Sequence, residues 1–221
     1  YIYVARDGRD VLWSLYNHHS SANAGYYRVI NDSPGRVGPP LEPPTASVRQ
    51  YYHEWLDKNG APYWPFWENI KSWWDIRHLP NVFLVHFAKL KEDIAEQIRS
   101  VAAFLEIPVD NLKWDLLLHH CSFEFMKLHA GRSVPLGGAF WDKGSRTFFH
   151  RGVNGRWRDV LSPEESGKYE KMAREKLGED CAFWLATGEL PTRVATGHGA
   201  PVQNSHPKRG EFSTRAGIEH A

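Results

Sequence analysis

The sequence predicts an α/β protein, with a parallel sheet flanked by helices. Residues 1–5 and 81–86 are short apolar runs rich in β-formers, as expected of strands covered on both faces. Each run leads into a helical pattern, first after Asp10 and then over residues 92–105. Strand followed by helix, repeated, implies parallel strands joined by crossovers.

Between the first strand and its helix stands Asp7-Gly8, a turn pair, and Asp10 is the expected N-cap. Val11, Leu12, Leu15 and Tyr16 then share one helical face. Arg6 falls at the carboxyl end of the strand, where open α/β sheets bind ligands. Ser14 follows about one turn into the helix. A guanidinium fork and a hydroxyl so placed can both reach one phosphate. His18 and His19 end this helix; adjacent helical side chains point about 100° apart and chelate poorly, so no metal is expected.

Residues 20–44 read as a loop, dominated by Gly, Pro, Asn and Ser from Asn31 onward. A helix is expected over 45–58, stopped by Asn59-Gly60, and another carries the stripe Trp67, Ile70, Trp74. After the second strand, His86 is expected to be a satisfied strand-end histidine. The helix over 92–105 turns Ile94, Ile98, Val101, Ala102 and Leu105 to one side. A short helix spans 109–119. Ser122 can N-cap the next, which puts Phe123 and Met126 on one face. Gly152 and Gly155 let backbone amides turn inward as an anion nest beside Arg151. Ser162-Pro163-Glu164-Glu165 starts a helix that runs to about residue 177, where Gly178 ends it.

The 221 residues carry 27 basic and 26 acidic side chains, so net charge gives no case for nucleic acid or an anionic membrane. Any anion site must be a local cluster. Two cysteines, Cys121 and Cys181, are too few for a disulfide framework, which suits a reducing cytoplasm. No apolar run approaches the roughly 20 residues that span a bilayer.

Four blocks, in order, resemble the P-loop-type sulfotransferases, and the resemblance covers about residues 1–185. Arg6-Asp7-Gly8-Arg9-Asp10-Val11-Leu12-Trp13-Ser14-Leu15-Tyr16 is similar to that family's Arg-Asn-Pro-(Lys/Arg)-Asp-Val-x-x-Ser-x-Tyr. Residues 66–74 resemble its Trp-rich helix. Cys121-Ser122-Phe123-Glu124-Phe125-Met126-Lys127 looks like Thr-Ser-Phe-x-x-Met-Lys. Phe148-Phe149-His150-Arg151-Gly152 through Trp157 looks like Phe-x-Arg-Lys-Gly-x-x-Gly-x-Trp.

The resemblance implies a P-loop-NTPase-like sulfotransferase fold, incomplete at its N-terminus, over residues 1–186, with a disordered tail over 187–221. It implies a metal-free enzyme that moves a sulfuryl group from 3′-phosphoadenosine 5′-phosphosulfate to a hydroxyl or amine of a small acceptor. Arg6, Ser14, His150, Arg151 and Gly152 would hold the 3′-phosphate. Phe87, Cys121, Ser122, Phe123 and Met126 would surround the adenine. His150 stands where the family has Arg, Phe87 where it has Tyr, and Cys121 where it has Thr. The family's phosphosulfate loop and catalytic base have no counterpart in the sequence and are expected upstream of Tyr1, so this chain alone is expected to turn over negligibly. Pro163 and Gly167 break the family's dimer motif. Two other readings are a nucleotide kinase of the same fold, which would need magnesium, and a non-catalytic nucleotide- or partner-binding module.

Overall fold

A computed structural model describes residues 1–44, 47–60 and 64–191. Two strands, β1 (Ile2–Ala5) and β2 (Phe83–His86), pair in parallel, with Ile2 opposite Phe83 and Ala5 opposite His86. Helices α1 (Gly8–Ser20), α2 (Ala24–Asn31), α3 (Val48–Asp57) and α4 (Phe66–Asp75) lie between them in the chain. After β2 come α5 (Phe87–Glu92), α6 (Ile94–Phe104), α7 (Trp114–His120), α8 (Phe123–Leu128), α9 (Ala130–Ser133) and α10 (Ser145–Phe148). The described chain closes with α11 (Pro163–Leu177) and α12 (Glu179–Thr187). No described helix is long and apolar enough to cross a membrane. Cys121 and Cys181 are free thiols. The expected tail lies outside the described residues from Thr192 onward.

β1 is covered on one face only. Tyr3 and Ala5 turn to the core, Tyr3 stacking on Trp73 of α4 at 5.2 Å, while Ile2 and Val4 remain 40% and 54% exposed. On the opposite face α6 covers β2, through Phe104 stacked on Phe83 at 5.1 Å. The core below the sheet is aromatic. Leu12, Tyr52, Trp55, Trp67, Ile70, Trp74, Trp184 and Leu185 form it, so the expected α4 stripe is buried.

Several boundaries differ from expectation for local reasons. The N-cap of α1 is Asp7, not Asp10, because the Asp7 carboxylate accepts the Arg9 backbone N–H at 2.8 Å. Gly8 is therefore helical rather than a turn glycine. Its smallness serves packing: a Cβ there would meet the Tyr169 hydroxyl at 2.6 Å and the Phe66 ring at 2.7 Å. Its N–H donates to that same hydroxyl at 2.9 Å. Asp10, released from capping, is buried against another partner, and Ser14 sits in the second helical turn.

The segment read as a loop contains α2, where Asn23 caps Tyr26 and Tyr27 is buried. The helix expected over 92–105 is split by Asp93, whose carboxylate accepts the Glu96 N–H at 2.9 Å and starts α6 afresh. The expected start of α3 at Thr45 lies outside the described residues; Ser47 caps it, and Asn59 and Gly60 end it with positive φ. α11 begins with a full capping box between Ser162 and Glu165, with Pro163 in its first turn.

Candidate functional site

The carboxyl end of β1 opens into a cavity of about 540 Å³, within the range of roughly 300–1,000 Å³ usual for small-molecule sites. Arg6, Ser14, Phe87, Cys121, Ser122, Phe123, Met126, His150, Arg151 and Gly152 all line it. The ten residues singled out in the sequence come from four separate segments, and the fold brings every one to the same wall.

Arg6 lies over the Phe87 ring, 4.4 Å from its centroid. Its Nη2 is 3.4 Å from the Val153 carbonyl and 3.9 Å from the Asp10 carboxylate, and its Nε is buried without a hydrogen-bond partner. Burial lowers its pKa, while Asp10 and Asp7 oppose that shift. A guanidinium remains charged under such pressure. It is an under-used cation at the strand end.

Asp10 is 5% exposed, and its Oδ1 accepts the Gly155 N–H at 2.8 Å. Burial pushes the carboxyl up; Gly155 and Arg6 pull it down. The carboxylate thus ties α1 to the 150–157 loop. Arg9 makes a second tie. Two of its nitrogens bond the Asp7 carboxylate, at 3.0 and 2.6 Å, and Nη1 donates to Ser166 at 2.6 Å and Glu170 at 2.7 Å. Its guanidinium stacks 3.8 Å from the Trp157 ring centroid. The loop is fixed at Gly155 and at Trp157 before any ligand arrives.

Gly152 has φ of +64°, and a Cβ there would lie 2.7 Å from the Phe123 ring. Phe123 packs edge-on against Phe149, with Lys91 and Lys127 ammonium groups 5.6 and 5.9 Å from its centroid. Ser122 caps α8 as predicted: its Oγ accepts from the Phe125 N–H at 3.1 Å and donates to the His119 carbonyl at 2.7 Å. With its proton committed, that hydroxyl can meet a ligand only as an acceptor. His86 is satisfied at both nitrogens, by the Ala88 N–H and the Leu185 carbonyl.

His150, which the resemblance places at the 3′-phosphate in place of an arginine, stands in a cationic setting. Burial lowers its pKa, and Arg156, Arg151 and Lys127 lower it further. Its Nδ1 is 2.9 Å from Arg156 Nη1. Arginine can only donate, so Nδ1 accepts and the imidazole proton sits on Nε2.

Sequence reasoning assigned no ligand-binding role to Asp10, Trp13, His18, Lys91 or Arg156, which also line the cavity. Asp10 and Arg156 lay within recognised blocks. Asp10 was read only as a cap, and Arg156 occupies a position the family pattern leaves open.

Comparison with known proteins identifies the family. The sulfotransferase domain model matches residues 1–180. The chain belongs to the sulfotransferase domain family. It is 27% identical over 177 residues to sulfotransferase 1B1 of Mus musculus, covering 80% of this chain and 53% of that protein. It is also 27% identical over 180 residues to sulfotransferase 2A6 of Rattus norvegicus, covering 80% and 56%. The chain therefore spans about half the length of the curated relatives it matches. Among solved structures, mouse sulfotransferase SULT7A1 complexed with PAP aligns with a TM-score of 0.63 at 23% identity, over 83% of this chain and 61% of that one. Retinol dehydratase in complex with androsterone and PAP aligns with a TM-score of 0.59 at 23% identity, over 80% and 47%. At these identities the structures establish the shared fold, the P-loop-like sulfotransferase fold.

Proposed function

We propose that this chain carries the 3′-phosphoadenosine half of the donor site of a cytoplasmic sulfotransferase acting on a hydroxyl or amine of a small acceptor. The observation that carries the reading is the convergence of Arg6, Ser14, the Arg151-Gly152 turn and the Phe87–Phe123 walls on one cavity. The fit is specific in two respects. Arg6 keeps an unpartnered buried Nε beside the cavity, and Gly152 leaves room that a side chain would fill. An anionic phosphate answers the first, and a closely approaching backbone amide uses the second.

In this reading Arg6 and Arg151 neutralise the 3′-phosphate, with Ser14 adding a hydroxyl and Gly152 a backbone N–H. Phe87 and Phe123 offer aromatic faces to the adenine, and Met126 a soft edge. When bound, 3′-phosphoadenosine 5′-phosphosulfate supplies the sulfuryl group and leaves as the 3′,5′-bisphosphate. The chain's share of the work is orientation, the part of group transfer that fixes the reacting end by holding the remote one. No Gly-x-x-x-x-Gly-Lys-(Ser/Thr) pattern occurs in the sequence, so no transfer step is assigned to these residues.

The test is calorimetric titration with adenosine 3′,5′-bisphosphate against adenosine 5′-phosphate and Mg·ATP. Preference for the bisphosphate, lost in Arg6→Ala, is the expected result. Preference for Mg·ATP would move the chain to the kinase reading, and binding of none of the three would favour a non-catalytic module.

A further inference from the structure

Arg156 has no place in the expected donor site, yet its environment is that of an anion ligand. It lines the cavity, half-buried, at the head of a short 3₁₀ turn over Arg156–Asp159. Among the described residues the one hydrogen bond of its guanidinium is the donation to His150 Nδ1, and it has no carboxylate within ion-pair distance. Its guanidinium carbon lies 5.1 Å from the Trp13 ring centroid. Contrast Arg9, whose guanidinium is consumed by Asp7, Ser166 and Glu170. A planar cation with five N–H donors is here held by a ring below and an imidazole at one corner, and its remaining donors are unspent.

The neighbour explains why the charge matters. His150 was expected to touch phosphate directly. With Nδ1 occupied, it can present only a neutral Nε2–H, and three cations around it disfavour a second proton. Of those cations, Arg156 is the one hydrogen-bonded to His150, so it carries charge at that corner where His150 does not. We infer that Arg156 is a phosphate-binding residue of this cavity, taking with His150 the 3′-phosphate of a nucleotide and supplying the charge that His150 does not carry. The inference rests on the donor-site reading and deepens it.

The experiment compares the full chain with Arg156→Gln, His150→Arg/Arg156→Gln and Arg6→Ala. Each is titrated with adenosine 3′,5′-bisphosphate and with adenosine 5′-phosphate, after a melting curve has shown that it folds. Arg156→Gln should weaken the bisphosphate by about 10- to 100-fold, the worth of a charge-assisted contact, and leave the 5′-phosphate nearly unchanged. His150→Arg in that background should restore much of the loss by returning a guanidinium from the adjacent position. Equal weakening of both nucleotides would make Arg156 a structural residue and overturn the inference, as would unchanged bisphosphate affinity. If the unsubstituted chain fails to prefer the bisphosphate and Arg6→Ala changes nothing, the donor-site reading itself falls and takes this inference with it.

Discussion

Replacing Gly152 with alanine separates the two demands on that position. The first is conformational: φ is +64°, and an L side chain in the left-handed region costs about 1–2 kcal/mol. The second is spatial. The new Cβ would stand 2.7 Å from Cε2 of Phe123 and 2.9 Å from two further ring atoms. Ordinary contact begins near about 3.4 Å, so the ring must retreat by roughly 0.7 Å or swing away. Phe123 is half-buried at the edge of an open cavity, so it can move. The stability loss should then stay near the backbone cost, lowering Tm by about 2–8 °C for a chain of this size. Nucleotide affinity should fall further, because the displaced ring no longer offers its face; losing one base-stacking contact is worth about 1–3 kcal/mol, or roughly 5- to 150-fold. Gly152→Asn is the control, since Asn tolerates positive φ but brings the same Cβ. It should melt closer to the parent and bind as poorly as Gly152→Ala. Full affinity for adenosine 3′,5′-bisphosphate in both variants would refute the claim that this turn and Phe123 form one wall.

Two further perturbations test the frame around the cavity. Arg9→Ala removes the partner of buried Asp7 and the stack on Trp157, and breaking a buried ion pair this way costs about 3–5 kcal/mol; a thermal melt should drop by about 6–20 °C, and a drop of only a degree or two would mean Arg9 is not the staple described. Glu165 is held down to about 2 by the Arg49 guanidinium, the Ser162 N–H and His53. Its folded-state value lies below the ordinary 4.5, so its contribution is present above that pH and lost as pH falls from about 4.5 to about 2. Glu165→Gln should flatten stability across that acid window in urea titrations, and an unchanged slope would contradict the assignment.

The site was more legible than the scaffold. Arg6, Ser14 and the Arg151-Gly152 turn could be named because short blocks around them resemble the sulfotransferases; the local chemistry alone, a cation after a strand, a hydroxyl on the next helix and a glycine turn, is compatible with phosphate but unspecific. Ser122 and Ser162 announced helix starts by capping chemistry, and the structure uses both. What stayed hidden depended on distant partners. The cap bond of Asp7 is local, but the Arg9 side chain that grips the same carboxylate is itself held by Ser166 and Glu170 of α11, some 160 positions away. Gly8 reads as a turn residue until Tyr169 and Phe66 are seen to occupy its missing side chain's place. β1 looks fully buried in sequence, yet Ile2 and Val4 stand open because burial depends on which helix lies above, and α6 covers β2. Nothing in the sequence around His150 shows that burial and the cations Arg156, Arg151 and Lys127 hold its pKa down.

The hydrogen bond from Gly155 to Asp10 joins positions 145 residues apart. Closing so long a loop costs about 4 kcal/mol of chain entropy by simple polymer scaling, and nothing at the cavity offsets it until both partners exist. During synthesis the helices through α4 precede both the turn that completes the cavity and the α11 and α12 residues that complete their aromatic core. Ligand competence therefore arrives late, after the ribosome has released the turn that meets the first helix. A nascent polypeptide stalled before residue 150 would lack the Arg151-Gly152 side of the cavity.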